Sequence, residues 1–536
     1  MKGEARWGLR FLDKPLFTRE GSNIIRIWSL FLIGITIAAC FSFQGCTQKQ
    51  KQPVDSIGLA VPYEIETLDP HAKSKLSSFA VLSHFYESLV TPAADMSIRP
   101  SLADTWENPD LLTWNFHLRP SIQFHSGKMM TAEDVVYSLR RVLDHPEFET
   151  ATYVSNVVEV REISKDSVQI RTRYPTAILL NKLSFVPIIP KGSTTEFLLR
   201  KEDGTGPYRL HYWDEKGNRI ALTRNDKYWG RAPIIREAVF YLGQDDEEGV
   251  HKLLSGECQF FQGASRTSET RVKNDKRFRI ERKDSLYIKY LGFNFQNETT
   301  NICGIPPNSF NNRLLREALN DAIDRTKLIA SLNSYGFPLT QAVPPFTFGF
   351  NPEIPAPKYD PRRAKMLLKD AGFPNGFEVT LHVRKLLDQA ANEVKDQFGT
   401  IGIRVQLRIL PDAQFFQELR SGKFCMFLSR FGSPTGDASD ILESAFHSYD
   451  PPEHFGQLNY GRYSNPDLDA LIVRSFQTQQ LERRKQYLQE IMSLLMQEKI
   501  WIPLYGDQDV YIYDSSFSWT PRIDSLIKIW EIQRKG

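Results

Sequence analysis

The chain lacks the short signatures that most enzymes carry. There is no H-E-x-x-H, no G-x-S-x-G and no reactive-cysteine pattern, so nothing marks a zinc peptidase, a serine hydrolase or a cysteine protease. A dispersed catalytic site leaves no such mark, and an extracellular hydrolase therefore stands as an alternative reading. The Gly-rich stretch Gly204-Thr205-Gly206-Pro207-Tyr208 has no Lys-Ser/Thr after it and cradles no phosphate. Cysteine is scarce, with five in 536 residues: Cys40, Cys46, Cys258, Cys303 and Cys425. Their spacings fit no zinc motif, and neither a metal nor a cofactor is expected. The last three allow one disulfide plus a free thiol, or three buried thiols. Charge of one sign is also missing. A net charge of +3 gives no clustered basic excess, so nucleic acid is not an expected partner. The run Arg483-Arg484-Lys485 follows Glu482 in a helical pattern and reads as a solvated face. No internal period suggests a repeat array.

What is present is a globular composition, 41% hydrophobic and 24% charged, in a chain long enough for two or three domains. Its one long apolar run, residues 27–39, follows a segment with a basic excess ending at Arg26. That is the pattern of a signal peptide, short for a spanning helix. Ile37-Ala38-Ala39-Cys40 resembles the lipobox of bacterial lipoproteins. Gly45-Cys46 is a second candidate, with the polar tether TQKQKQ after it. An uncleaved membrane anchor is the third reading. All three place the body outside the cytoplasmic membrane.

Residues 113–144 are the most informative stretch. Trp114, Phe116 and Leu118 alternate with Asn115, His117 and Arg119, the period of a strand, and Pro120 ends it. His125-Ser126-Gly127-Lys128 reads as a turn. Thr131 and Asp134 form a variant capping box ahead of a helix whose apolar face is Val135, Leu139 and Val142-Leu143. By periodicity alone this is a strand–turn–helix unit without chemistry. Its spelling adds more. W-x-F-x-L-R, F-x-x-G, T-A-x-D-V and S-x-x-R in this order resemble the signature of the peptide/nickel class of extracytoplasmic solute-binding proteins, the receptor subunits of ABC importers.

Further stretches agree in order: Leu68-Asp69-Pro70, Phe85-Tyr86-Glu87-Ser88-Leu89 closing a helix from Phe79, Gly204–Tyr208, and Asn225 with Tyr228-Trp229. Residues 288–295 read as a strand that crosses between lobes, with Asn294 as that class's recurrent asparagine. A helix is expected from Asn311 to near Ile329. Another starts at Pro361 and stops at Gly372. Residues 378–383 and 404–410 read as strands flanking a helix, which suggests a mainly parallel lobe. Residues 501–505 resemble the return to the first lobe.

The resemblance spans roughly residues 56–510. It implies an α/β, two-lobed type II periplasmic-binding-protein fold with an extra domain inserted in the first lobe. The expected division is a signal, lipidation site and tether (1–51), first lobe (52–88), inserted small domain (89–200), first lobe again (201–291), second lobe (292–499) and a return to the first lobe (500–536). The implied function is a lipoprotein, expected to be monomeric, that captures short peptides between closing lobes and delivers them to ABC permease and ATPase subunits. A modified ligand such as a muropeptide, a nickel chelate or haem is the alternative. The cleft residues the resemblance implies are Ser74, Lys75, Tyr290, Asn294, Arg430, Phe431, Gly432, Ser433 and Asp437. Tyr290 and Phe431 read equally well as core aromatics. In this class an Asp after a Trp holds the ligand's ammonium. Here Phe431 replaces the Trp and Pro434 falls at the Asp, leaving Asp437 or Asp440 as substitutes.

Overall fold

A computed structural model describes residues 55–296 and 303–535. The apolar run 27–39, Cys40 and Cys46 lie outside the described residues. Among the described residues no helix is long and apolar enough to cross a membrane.

Two strands set the architecture. Phe278–Phe293 and Trp501–Asp514, of 16 and 14 residues, are antiparallel partners. Their outer halves belong to different parts of one sheet. In order its strands are Tyr208–Asp214, Arg219–Arg224, Glu237–Tyr241, Ser56–Ala60, Phe260–Gln262, Trp501–Asp514, Phe278–Phe293, Met426–Gly432, Glu378–Arg384 and Arg404–Leu410. The first five of these build one lobe and the last three the other. Alternation explains why the sheet is covered on both faces of the first lobe. Tyr511 and Tyr513 pack with Phe240 and Phe260 on one side, while Val510 and Ile512 pack with Val250 and Phe261 on the other. In the second lobe Glu378–Arg384 runs parallel to both its neighbours, with the helix Asp388–Gly399 between two of them in sequence.

The pairing of the two long strands breaks register twice, first near its middle and again between Lys289 and Tyr290. Asp284 pairs with Gln508 and Ile288 with Gly506, so residues 285–287 stand opposite Asp507 alone. Such a bulge bends the strand and re-aims its side chains. It lies where the sheet passes from one lobe to the other.

A separate four-stranded antiparallel sheet comprises Ala103–Glu107, Thr113–Leu118, Ser167–Thr172 and Val157–Ser164. The helix Ala132–Asp144 covers it, and Trp114, Phe116 and Leu118 meet Val135, Leu139 and Val142 in their own core. The alternation and the capping box read from the sequence are both present.

Three expectations need correction. The crossover strand starts at Phe278, ten residues before 288, because its first half is itself a partner of Trp501–Asp514. The helix from Asn311 is two helices, Arg313–Asp321 and Arg325–Ser331, and Asp324 caps the second by accepting the Lys327 N–H at 2.9 Å. The helix near Phe79 spans Leu76–Leu82 and does not reach Leu89. The backbone carbonyls of His84 and Phe85 instead accept from the Tyr208 and Gly206 N–H groups at 3.0 and 2.9 Å. A Cβ at Gly204 would stand 2.0 Å from the Phe85 carbonyl oxygen, so only glycine permits this approach.

That junction is held by one buried carboxylate. Glu87 accepts hydrogen bonds from the Thr205 hydroxyl, the Tyr228 hydroxyl and the Trp229 indole N–H, each at 2.8 Å. Burial pushes its pKa up despite these donors. Glu87→Ala orphans all three donors, and about 3 kcal/mol or more of stability is expected to be lost. Glu87→Gln keeps an acceptor oxygen and should cost less than half as much; urea unfolding of the two variants checks the order.

Cys303 and Cys425 form a disulfide across 122 residues, and Cys258 is a buried free thiol. The bond ties the start of the strand Met426–Gly432 to the segment that follows the first crossover strand. Replacing both cysteines by alanine is expected to cost about 2–5 kcal/mol, read as a lower guanidinium midpoint.

Candidate functional site

The lobes enclose a cleft with two chambers. The smaller, about 300 Å³, has Ser74, Lys75, Leu76, Thr152 and Tyr153 on one side and Phe431, Gly432, Ser433 and Ser444 on the other. Its floor is Leu286 and Tyr287, two of the three residues that the bulge turns out of the ladder. The larger, about 670 Å³, lies toward the first lobe and is lined by aromatics such as Phe79, Trp229, Trp519 and Trp530. Leu76, Phe185, Pro434 and Asp524 border both chambers, so the two are compartments of one cleft.

Polar contacts hold each wall. Ser74 donates its N–H to Glu149 at 3.0 Å, and Lys73 reaches Glu66 at 3.1 Å and Glu149 at 3.2 Å. Lys75 pairs with Glu66, and these lysines hold the Glu66 carboxyl below its ordinary range. On the far wall the Ser433 N–H reaches the Leu286 carbonyl at 3.4 Å. Contacts also cross the cleft mouth. Asn181 donates to the Thr435 carbonyl at 3.0 Å, Lys182 to Glu443 at 2.9 and 2.8 Å, and the Ala177 N–H to the Phe476 carbonyl at 2.9 Å.

The charges beside this mouth do not balance. Asp437, Asp440 and Glu443 are three carboxylates. Asp437 is taken by Arg484, at 2.8 and 2.6 Å, and Glu443 by Lys182. Among the described residues the carboxylate of Asp440, in the chamber wall, keeps one hydrogen bond, from the Thr435 hydroxyl at 3.2 Å. Burial, reinforced by Glu443 and Asp437 and opposed by Lys182, pushes its pKa up to about 7. A cation placed in the smaller chamber would complete the set.

Of the residues expected from the sequence, Ser74, Lys75, Phe431, Gly432 and Ser433 come together in the smaller chamber. Four do not line it. Tyr290 is 3% exposed and stacks on Trp501, with ring centroids 3.5 Å apart, in the second-lobe core. Asn294 donates to the Gly422 and Phe424 carbonyls at 3.2 and 3.0 Å and pins a loop. Arg430 lies behind the wall, 4.4 Å from the Tyr287 ring centroid. Asp437 is consumed by Arg484 and by the Ser439 N–H at 2.9 Å. Pro434, which brings no N–H, borders both chambers. Sequence reasoning missed Leu286, Tyr287, Asp524 and Lys528. Among the described residues no cluster of His, Cys, Asp and Glu has the makings of a metal site.

The model of the bacterial extracellular solute-binding proteins, family 5, matches residues 97–452. The chain is 25% identical over 446 residues to heme-binding protein A of Haemophilus influenzae, covering 76% of this chain and 78% of that one. It is 27% identical over 479 residues to a glutathione-binding protein of Shigella flexneri, covering 86% and 90%. Its fold matches the ABC transporter-associated periplasmic binding protein of Helicobacter pylori in complex with the peptide STSA, with a TM-score of 0.77 at 20% identity over 90% and 98% of the two chains.

Gly432 couples the wall to the floor. A Cβ there would stand 2.5 Å from a ring carbon of Tyr287. Gly432→Ala is therefore expected to destabilise by about 1–3 kcal/mol. Most of that cost should vanish in a Tyr287→Ala background, and a double-mutant cycle in urea measures the coupling.

Proposed function

The chain belongs to the bacterial extracellular solute-binding proteins of family 5, and on that premise we propose that it captures short peptides between its lobes and passes them to an ABC importer. The observation that carries this reading is Asp440, a desolvated carboxylate in the cleft wall that forms no ion pair among the described residues. The N-terminal ammonium of a peptide supplies the missing charge. The peptide backbone is held in the sequence-tolerant way of an added strand, with side chains in wet pockets. Ser74, Lys75, Phe431, Gly432 and Ser433 form the walls around it.

Capture follows from the hinge. The lobes swing about the bulge at residues 285–287, and closure forms the Lys182–Glu443 and Asn181–Thr435 contacts over the ligand. The closed pair of lobes is what a permease recognises, with its ATPase behind it. The four-stranded sheet and its helix make up the small domain inserted between parts of the first lobe. The protein acts as a monomer tethered outside the cell membrane by lipid on Cys40 or Cys46, and performs no reaction on its ligand. A glutathione-binding relative supports a ligand with a free ammonium. A muropeptide or other amine-blocked ligand is the competing occupant, and Pro434 is the feature in its favour.

The pH dependence separates the two. Asp440 without ligand titrates at about 7, and an ammonium favours its ionised form. Binding then releases a proton below pH 7, so affinity falls as the pH drops through 7, approaching about tenfold per pH unit. Calorimetry with trialanine from pH 8 to pH 6 should show this fall, and Asp440→Asn should abolish it while weakening binding by about 2 kcal/mol or more, at least roughly thirtyfold. N-acetyl-trialanine should bind weakly at every pH. Equal, pH-independent binding of both peptides would remove the ammonium from the account.

A further inference from the structure

The larger chamber holds a cation that the fold leaves nearly without partners. Lys528 is 6% exposed and lies in the chamber wall. Both carboxylates near it take their hydrogen bonds from Arg522, Asp524 at 2.6 Å and Glu531 at 2.9 Å, so Lys528 balances the second acid's charge from a distance and donates to neither. Glu87, farther along the wall, is filled by Thr205, Tyr228 and Trp229. Among the described residues the Lys528 ammonium keeps one long contact, to the Pro92 carbonyl at 3.5 Å, and lies 5.5 Å from the Trp530 ring centroid. An ammonium has three donors, and burying it with most of them unfilled is costly. Burial, helped by the Arg522 charge, lowers its pKa to about 8, so at neutral pH it remains mostly a cation.

This cation and the Asp440 carboxylate lie in adjoining chambers of one cleft, joined along Leu76, Phe185, Pro434 and Asp524. A ligand entering both chambers meets a carboxylate that accepts one hydrogen bond at one end and an ammonium with unfilled donors at the other. Shape alone would admit many ligands, but two desolvated and opposite charges discriminate by several powers of ten when one is left unpaired.

We propose that Lys528 is the second pole of the ligand site, receiving a carboxylate of the peptide whose ammonium sits at Asp440, so that the cleft selects zwitterionic peptides by both ends. The inference rests on the peptide reading above and adds to it the group that recognises the far end. The carboxylate has two sources, the peptide's C-terminus or an acidic side chain.

The test is calorimetry on the wild-type protein and on Lys528→Met with three probes: trialanine, trialanine amide and Ala-Ala-Glu amide. Wild type should bind trialanine at least tenfold more tightly than its amide. Lys528→Met should bring the two within about twofold, while leaving the preference for trialanine over N-acetyl-trialanine, which reports on Asp440, in place. Recovery of affinity by Ala-Ala-Glu amide shows that a side-chain carboxylate can take the place of the C-terminus at Lys528, and no recovery confines the site to the C-terminus; either agrees with the proposal. An acid-to-amide ratio that is unchanged in Lys528→Met, with peptides still bound, overturns the role of Lys528 alone. Failure of wild type to bind any of the peptides overturns the peptide reading and the pole with it. Should Lys528→Met not fold, the carbon-13 shift of the wild-type Lys528 Cε, titrated with pH, gives the same decision: its pKa rises with trialanine and stays put with the amide, or the proposal fails.

Discussion

The backbone ladder between the two crossover strands is the constraint on which the other features rest. It joins the sheets of both lobes, so any motion of one against the other must bend these strands. Regular pairing resists bending, and residues 285–287, which have no one-to-one partners on Trp501–Asp514, form the wider of the two places where register is already broken. The same irregularity places Leu286 and Tyr287 in the cleft floor. Just beneath, Lys289 is buried and paired with Asp507, and burial lowers its pKa while Asp507 opposes the shift. Asp509, on the same strand as Asp507, is pushed up to about 6 by burial. Breaking a buried pair of this kind costs about 3–5 kcal/mol, which fixes the register around the bulge even as the bulge bends.

The residues that reveal the family are scaffold rather than ligand contacts. Glu87 gathers three donors from the Gly-Thr-Gly-Pro-Tyr and Tyr-Trp stretches. Asp134 accepts from the Thr131 N–H at 2.9 Å, the Lys191 N–H at 2.7 Å and the Lys128 ammonium at 2.6 Å. Asp69 binds Arg141 through both oxygens, at 3.0 and 2.6 Å, and His71 joins the pair. Each is a buried carboxylate that tolerates burial only because every lone pair facing the protein is used. Of the three, Asp69 ties the helix Ala132–Asp144 to the segment that follows the strand Ser56–Ala60. Asp440 and Lys528 contrast with them: among the described residues each side chain keeps a single long hydrogen bond, at 3.2 and 3.5 Å.

These contrasts explain what the sequence could and could not disclose. Strand and helix positions were legible where period and capping agreed, as at Trp114, Phe116, Leu118 and the helix that Thr131 opens. The first half of the long crossover strand was not, because Glu281-Arg282-Lys283-Asp284 is charged throughout and interrupts the alternation that Phe278 and Ile280 begin. The cleft wall at Phe431, Gly432 and Ser433 followed from the family spelling. Tyr290, near the end of the crossover strand, turns into the second-lobe core, and Asn294, just past that end, pins a loop, which a short aromatic run does not encode. Asp437 and Asp440 are equivalent as letters. Only the position of Arg484, 47 residues away, decides which is consumed. Lys528 belongs to a C-terminal segment without a motif, and its role depends on Arg522 having taken the nearby acids.

The central claim is that the cleft carries peptides. Native mass spectrometry of the protein purified without denaturation tests it most directly, since a closed cleft retains what it enclosed. A spread of adduct masses that fit ordinary short peptides, lost on unfolding, is the expected result. A single adduct of non-peptide mass, or one that fits an amine-blocked muropeptide, would contradict the account and make Pro434, not Asp440, the residue that sets the ligand.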